Sequence, residues 1–185
     1  MEIKITTNQI LKLLQIVSWI IFIGLCVEAG GIAVNTIITL FINPQGVENF
    51  WKGANYLSQL YKFDQSHFFV IAIIMNIVAV LKAIMFYLIV KLFVHKQLNL
   101  TQPFHLDLRH FILNLSYLAL GIGLFSHFGF KYSLWLTTQG LTAADLESLE
   151  IAGADVWIFM AVILFVIVQI VKRGIEIQNE NDLTI

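Results

Sequence analysis

The sequence predicts an all-α fold, an integral membrane four-helix bundle, from three observations. First, 58% of the 185 residues are hydrophobic and 12% are charged, against about 45–50% and about 25% in soluble domains. Second, four apolar segments approach or exceed the roughly 20 residues that a helix needs to cross a bilayer. Third, the alternating pattern of a membrane β-strand is absent. Helices are the other structures whose backbone N–H and C=O groups are hydrogen-bonded internally in lipid.

The four apolar segments define a single membrane domain over residues 1–185. We predict spans at about 11–42, 68–93, 111–130 and 154–171, followed by a cytoplasmic tail at 172–185.

The first span is too long for one simple crossing. About 33 residues of helix extend roughly 50 Å, whereas the hydrocarbon is about 30 Å thick. The excess must bend or project into water, and Gly30-Gly31 is the predicted bend. Asn43-Pro44 is the predicted end of the helix, because a residue before proline disfavours the helical conformation.

Orientation follows from the Lys and Arg residues that flank the spans. Three lie on the side of the first and third loops, and Lys82 lies within a span. The other seven lie on the side that holds both termini and the middle loop: Lys4, Lys12, Lys91, Lys96, Arg109, Lys172 and Arg173. By the positive-inside rule, the protein belongs in the cell (inner) membrane with both termini in the cytoplasm.

Two outer loops connect the spans on the opposite side. In the first, apolar residues recur at helical spacing and predict a short amphipathic helix. This helix lies in the headgroup region, with Trp51, Tyr56 and Tyr61 as interfacial anchors, or forms a cap packed on the bundle. In the second loop, Thr142-Ala143-Ala144-Asp145 predicts a helix start.

Four polar residues inside spans form the candidate intramembrane site: Glu28, Lys82, Asn35 and His127. An ionisable group within a span is costly and marks a functional site by default. Glu28 binds a proton, ion or ligand, or else it fixes helix packing as a hydrogen-bonded carboxyl. We expect Lys82 to extend toward the cytoplasmic headgroups, since the predicted register leaves it about 12 Å from Glu28 in depth.

No catalytic constellation, phosphate-binding loop or dinucleotide motif is present, so the sequence predicts neither an enzyme nor a cofactor. The five histidines lack the spacing of a metal site, and the single cysteine, Cys26, excludes an intramolecular disulfide.

The cytoplasmic face supplies a second candidate surface, for a protein partner. Glu176 and Glu180 are four residues apart and repel on one helix face, which indicates a basic partner, either in the middle loop or on another protein; a solvated tail is the alternative. The candidate residues are Pro103, Phe104, Arg109, Lys172, Arg173, Glu176, Glu180 and Asp182.

Several strings carry a family resemblance. Gln102-Pro103-Phe104, the ending KRGIE with DLTI, and the longer SWIIFIGLCVEAGG and SYLALGIGLFSHFG resemble the small bacterial membrane proteins catalogued as domain of unknown function 2975, in particular Bacteroidetes-type members. The resemblance covers nearly the whole chain. It implies four spans and, as a partner, a small helix-turn-helix regulator of the Cro/C1 type, and it carries over no site residues.

Three hypotheses of function follow. The first is a membrane-bound sensor or regulator that controls a cytoplasmic helix-turn-helix transcription factor without touching nucleic acid itself, since no basic patch is large enough. The second is a small transporter or ligand-binding membrane protein centred on Glu28. The third is a structural subunit, and a homo-oligomer fits any of them.

Overall fold

The computed structural model describes residues 7–94 and 104–182, which contain helices and connecting turns but no β-strand. The helices are α1 (Thr7–Ile37), which continues into a π-helical turn (Ile38–Ile42), then α2 (Ala54–Phe63), α3 (Gln65–Val94), α4 (Leu106–Thr138) and α5 (Ala154–Asp182). Four of these, all but α2, are long and apolar enough to cross a membrane. The predicted all-helical class and the four apolar helices are confirmed for this part of the chain.

The first long helix ends where the sequence predicts. Asn43 adopts an extended conformation, with φ −145°, and its side chain accepts a hydrogen bond from the Gln45 amide at 3.0 Å. That contact begins a 3-10 helix at Pro44–Asn49. The predicted bend at Gly30-Gly31 does not interrupt α1. Gly31 instead accommodates Trp51, whose ring would lie 3.1 Å from a Cβ at that position.

The last two helices are longer than predicted. The 33 residues of α4 extend roughly 50 Å, further than the hydrocarbon is thick. The 29 residues of α5 continue past Lys172, so the predicted tail is helical as far as Asp182. Lys172 and Arg173 both pair with Glu176 one turn later, and such pairs favour the extra turns.

The long helices pack in chain order, α1 on α3, α3 on α4 and α4 on α5. Close approach of α4 and α5 depends on Gly123, where a Cβ would lie 2.6 Å from Ile158. The fully buried apolar residues are concentrated on α2, on the first half of α3 and on the second outer loop: Leu57, Leu60, Phe68, Ile71, Met75, Val78, Leu149 and Ile151. The core therefore lies in the outer half of the bundle.

Both outer loops fold back into this half. Trp51 contacts Gly31, eleven residues before the end of the π-helical turn, so the first loop descends roughly 16 Å along α1. Ile151 contacts Gly129, nine residues before the end of α4, so the second loop descends roughly 14 Å. The two loops meet at Gly53, where a Cβ would lie 2.5 Å from Leu149.

The helix predicted to start at Thr142–Asp145 does not form, and this prediction is wrong. Residues 141–145 are irregular, and a single hydrogen-bonded turn follows at 146–150. That turn ends at Glu150, whose φ of 58° does not continue a right-handed helix, and the flanking residues Leu149 and Ile151 are both fully buried. The loop follows the core instead of continuing as an exposed helix.

The amphipathic helix of the first loop forms in part, as α2, which begins at Ala54; Trp51 precedes it in a turn. Its buried residues Tyr56, Leu57 and Leu60 pack on the bundle, which agrees with the interpretation of α2 as a packed cap. The Trp51 side chain is exposed, and its position at the headgroup level stays a prediction.

Candidate functional site

Two lysines from different elements, Lys52 and Lys82, converge on Glu150 in the second outer loop. Lys52, just before α2, donates from Nζ to Glu150 Oε1 at 2.8 Å. Lys82, in the middle of α3, donates from Nζ to the Glu150 backbone oxygen at 2.9 Å and lies 3.7 Å from Oε2. One glutamate therefore links both outer loops to the centre of a long helix.

The backbone of Glu150 is unusual. Its φ is 58°, the one positive value at a non-glycine residue in the described part of the chain. Such a conformation costs about 1 kcal/mol or more and persists where the surroundings impose it. Here the buried neighbours Leu149 and Ile151 hold it, and it aims the Glu150 carbonyl oxygen at Lys82.

Lys82 does not extend toward the cytoplasmic headgroups, and that prediction is wrong. Its ammonium group points to the opposite side, into the folded-back loop, and 14% of its side chain is exposed. A backbone carbonyl at hydrogen-bonding distance and a carboxylate oxygen 3.7 Å away solvate the charge better than a long reach along an apolar helix. No pattern in the sequence indicates that a loop descends to this depth.

The predicted register of α1 against α3 is also wrong. Phe22 packs against Tyr87 with ring centroids 6.0 Å apart, and Asn76 donates to Thr36 at 2.9 Å. Between these two antiparallel contacts, Glu28 falls at about the level of Lys82. The expected separation of about 12 Å in depth came from assuming that each helix starts at the membrane surface.

Glu28 lies at the edge of this cluster. It is half-buried, and its Oε1 atom is buried with no hydrogen-bond partner among the described residues. It forms no ion pair within 4 Å there, yet it lies within electrostatic range of Glu150, Lys82 and Lys52. We call these four residues the charged cluster; it contains two cations and two carboxyl groups.

Electrostatics within the charged cluster are dominated by Glu150. The hydrogen bond from Lys52 to Glu150 raises the pKa of the Lys52 ammonium above its ordinary value, because the carboxylate favours the charged form. Lys52 therefore remains protonated at neutral pH. Its partner, Glu150, has both carboxylate oxygens within 4 Å of an ammonium group.

The other two predicted intramembrane residues lie elsewhere. Asn35 donates to the Gly31 carbonyl of its own helix at 2.8 Å. His127 lines a separate cleft beside the start of α5. The structure therefore brings together Glu28 and Lys82 but neither Asn35 nor His127.

Sequence reasoning missed Lys52 and Glu150. Neither belongs to the predicted sites, because both lie in outer loops. The one signal that could have found Glu150 is its place between Leu149 and Ile151, an apolar environment that is unusual for a solvated loop.

The cytoplasmic candidate residues divide into two groups. Phe104 packs on α5, where a Cβ on Gly174 would lie 2.7 Å from its ring. This contact joins the residue after Pro103 to the KRGIE string, so two of the family-like motifs touch. Beside it lies a groove of about 560 Å³ lined by Phe104, Ile170, Arg173, Gly174, Ile177 and Gln178.

The remaining cytoplasmic residues lie around this groove or apart from it. Glu176 pairs with Arg173 at 3.0 Å and with Lys172 at 4.0 Å, so its charge is compensated within α5. Glu180 lies within electrostatic range of Arg173. Arg109, on α4, is half-buried. Pro103 and the Asp182 side chain lie outside the described residues.

The described residues indicate the class of protein but no specific function. Four helices of sufficient length and hydropathy indicate a multi-pass membrane protein. Within 7–94 and 104–182, no three His, Cys, Asp or Glu residues are grouped so that they could hold a metal ion.

Comparison with protein-family models, curated proteins and solved structures finds no match to this chain. The resemblance to domain of unknown function 2975 therefore stays a prediction.

Proposed function

We propose that this chain is a membrane-bound sensor or regulator in the cell membrane. Its outer loops report a condition of the membrane or envelope to the cytoplasmic ends of the helices. The observation that carries the proposal is the link made by Glu150, which ties both outer loops to Lys82 in the middle of α3. A change in either loop therefore reaches a helix that extends to the other side.

The charges on the long helices suggest where the bilayer lies. Lys91 and His110 line one cleft between α3 and α4. From His110 to Lys131, α4 rises roughly 31 Å, close to the thickness of the hydrocarbon. Placed between these levels, the bilayer has Lys82 roughly 14 Å from the Lys91 boundary, so the charged cluster lies near mid-depth.

A charged cluster at that depth needs protein around it. Irregular backbone is tolerated within the bilayer only where protein or a water-filled cavity shields it from lipid. The buried residues Leu149 and Ile151 provide such shielding for the second loop. Opening this loop would expose two ammonium groups and two carboxyl groups. The closed and open states therefore differ in free energy.

The cytoplasmic groove at Phe104 and Gly174 is the proposed output surface. Its apolar walls, Ile170 and Ile177, are both exposed, and Arg173 lies on its rim. An amphipathic helix of a partner buries its apolar face in such a groove. The resemblance suggests a helix-turn-helix regulator as that partner.

The proposal is tested by recovering the partner from cells that express the tagged full-length chain. The membrane fraction is solubilised in mild detergent, and co-purifying proteins are identified by mass spectrometry. We expect a helix-turn-helix protein with the unaltered chain and several-fold less with Ile170→Ala/Ile177→Ala. The matched control is Ile163→Ala/Ile167→Ala, two exposed residues on the same helix outside the groove.

Two results would count against the proposal. Failure to recover any helix-turn-helix protein with the unaltered chain removes the regulator role. Equal recovery with the groove variant and its control removes the groove as the output surface.

A second candidate function, ligand or ion binding at Glu28, is favoured by one specific observation. The buried Oε1 atom of Glu28 has no partner among the described residues, and a buried carboxyl oxygen without a hydrogen bond is destabilising. A proton, a cation or a ligand donor would satisfy it. A small transporter would carry such a ligand through this position.

Glu28→Gln and truncation after Lys172 distinguish the two candidates. Loss of the cellular phenotype in Glu28→Gln alone favours ligand or ion binding. Loss after truncation alone favours regulation through the cytoplasmic face. If neither change has an effect beyond folding, the protein is a structural subunit.

A further inference from the structure

A cleft separate from the charged cluster lies between α4 and the start of α5. Its volume is about 260 Å³, and it is lined by His127, Phe130, Leu146, Ile151, Gly153, Ala154 and Asp155. The walls are apolar, apart from an imidazole contributed by α4 and a carboxylate contributed by α5. This combination of apolar walls with a few polar groups is typical of a small-molecule site.

The polar side chains of this cleft have no partner among the described residues. His127 and Asp155 are both exposed, and neither forms a hydrogen bond or ion pair with another residue in 7–94 or 104–182. Lys131 follows His127 by one turn on the same face of α4. It is also exposed and makes no ion pair with the described residues.

The depth of these groups suits a lipid headgroup. If Lys131 marks the outer boundary of the hydrocarbon, His127 lies roughly 6 Å below it. Exposed ionisable side chains at that depth face neither bulk water nor protein, so they bind one another, a ligand or headgroups.

We propose that this cleft binds the headgroup of an outer-leaflet phospholipid that carries a primary amine, the phosphoethanolamine class. His127 and Lys131 donate hydrogen bonds to the phosphate, and Asp155 accepts hydrogen bonds from the ammonium group. Phe130 and Leu146 form apolar walls of the cleft beside the headgroup. The proposal requires the bilayer position given above but not the regulator role.

The chemistry distinguishes this headgroup from its common alternatives. A phosphocholine headgroup has a trimethylated nitrogen that cannot donate a hydrogen bond to Asp155. A phosphoglycerol headgroup has hydroxyl donors but no cation, so it brings no positive charge to the Asp155 carboxylate beside the phosphate. The first alternative loses the charge-assisted hydrogen bond to Asp155, and the second loses the ion pair.

The test is lipid retention by the purified full-length chain. The protein is exchanged into detergent micelles doped with equal amounts of phosphatidylethanolamine, phosphatidylcholine and phosphatidylglycerol, and retained lipids are counted by native mass spectrometry. We expect phosphatidylethanolamine to be retained about tenfold over the other two. Asp155→Asn should remove this preference, and Lys131→Gln should weaken retention of all three lipids.

Controls separate a lipid site from a folding defect and from a small-anion site. Glu147→Gln removes an exposed carboxylate of the same loop that does not line the cleft, and it should leave the preference intact. Lys131 is exposed, so Lys131→Gln is expected to keep the elution volume and melting temperature of the unaltered protein. Free O-phosphoethanolamine and inorganic phosphate at matched concentrations test the headgroup without acyl chains.

Three outcomes would overturn the proposal. Equal retention of the three lipids removes the amine specificity. A preference that survives Asp155→Asn places the lipid elsewhere. Thermal stabilisation by inorganic phosphate equal to that by phosphatidylethanolamine makes the cleft a small-anion site.

Discussion

Replacing Lys82 with methionine removes the ammonium group that holds the second outer loop against α3. Methionine keeps the length and apolar character of the side chain, so the change isolates the charge. The lost contacts are the 2.9 Å hydrogen bond to the Glu150 carbonyl oxygen and the 3.7 Å approach to its carboxylate. Glu150 keeps its contact with Lys52 at 2.8 Å.

The size of the effect follows from burial. Removing one partner of a buried ion pair costs about 3–5 kcal/mol, and a charge-assisted hydrogen bond is worth about 1.5–3 kcal/mol. Because Lys52 still compensates Glu150, we expect Lys82→Met to lower the free energy of unfolding by about 3 kcal/mol.

Two other lysine-to-methionine changes serve as references for the loss in free energy of unfolding. The Lys52 side chain is 39% exposed, so solvent screening reduces the expected cost of Lys52→Met to about 1 kcal/mol. The Lys62 side chain is 71% exposed and lies 3.5 Å from Glu48, so Lys62→Met should cost about 0.5 kcal/mol or less. The assay is unfolding in mixed micelles with increasing sodium dodecyl sulfate, followed by tryptophan fluorescence.

The order of the three variants is the critical result. If Lys82→Met is no more destabilising than Lys62→Met, the charged cluster does not hold the loop in solution. A double-mutant cycle with Glu150→Gln adds a direct check, since contacting residues couple by about 0.5–3 kcal/mol. Strict additivity of the two changes would contradict the ion pair between Lys82 and the Glu150 carboxylate, because Glu150→Gln keeps the backbone oxygen that accepts the hydrogen bond.

Two further predictions concern helix packing and acid stability. Gly123→Ala places a methyl group 2.6 Å from Ile158, so it should lower the melting temperature through a cost of about 1–3 kcal/mol. The control Gly24→Ala has open space around it and should be neutral or stabilising by up to about 1 kcal/mol. Equal effects of the two changes would contradict the close α4–α5 contact. The Ser66 amide donates to the Asp64 carboxylate at 2.6 Å and lowers its pKa below the ordinary value of 3.8. The stability from Asp64 is therefore complete above that value and is lost as the pH falls through the lowered folded pKa. An acid titration of the unfolding midpoint should show a loss below pH 3.8 that is absent in Asp64→Asn.

Hydropathy and helix-stop signals were sufficient to predict the four long helices. A helix that crosses lipid must be continuous and apolar, so it can be recognised from consecutive residues of the sequence. The stop at Asn43-Pro44 was predictable for the same reason, because proline restricts the residue directly before it.

The charged cluster could not be predicted, because it depends on contacts that are distant in sequence. Lys82 and Glu150 are 68 residues apart, and their contact requires the second loop to descend along α4. Hydropathy counts that loop as solvated, so it assigns its charges to the surface. The register of α1 against α3 failed likewise, because it is fixed by the Asn76–Thr36 contact and not by where each apolar segment begins.

The folded-back loops have a practical consequence for experiments that map membrane topology with inserted tags or added reagents. Residues 139–153 look like fifteen accessible positions, yet only seven of them are exposed: Gln139, Gly140, Thr142, Ala143, Asp145, Glu147 and Gly153. A cysteine placed at Leu149 or Ile151, both fully buried, would escape labelling by a water-soluble maleimide on either side of the membrane. A survey based on those two positions would miss the loop between α4 and α5 and would therefore count two crossings too few.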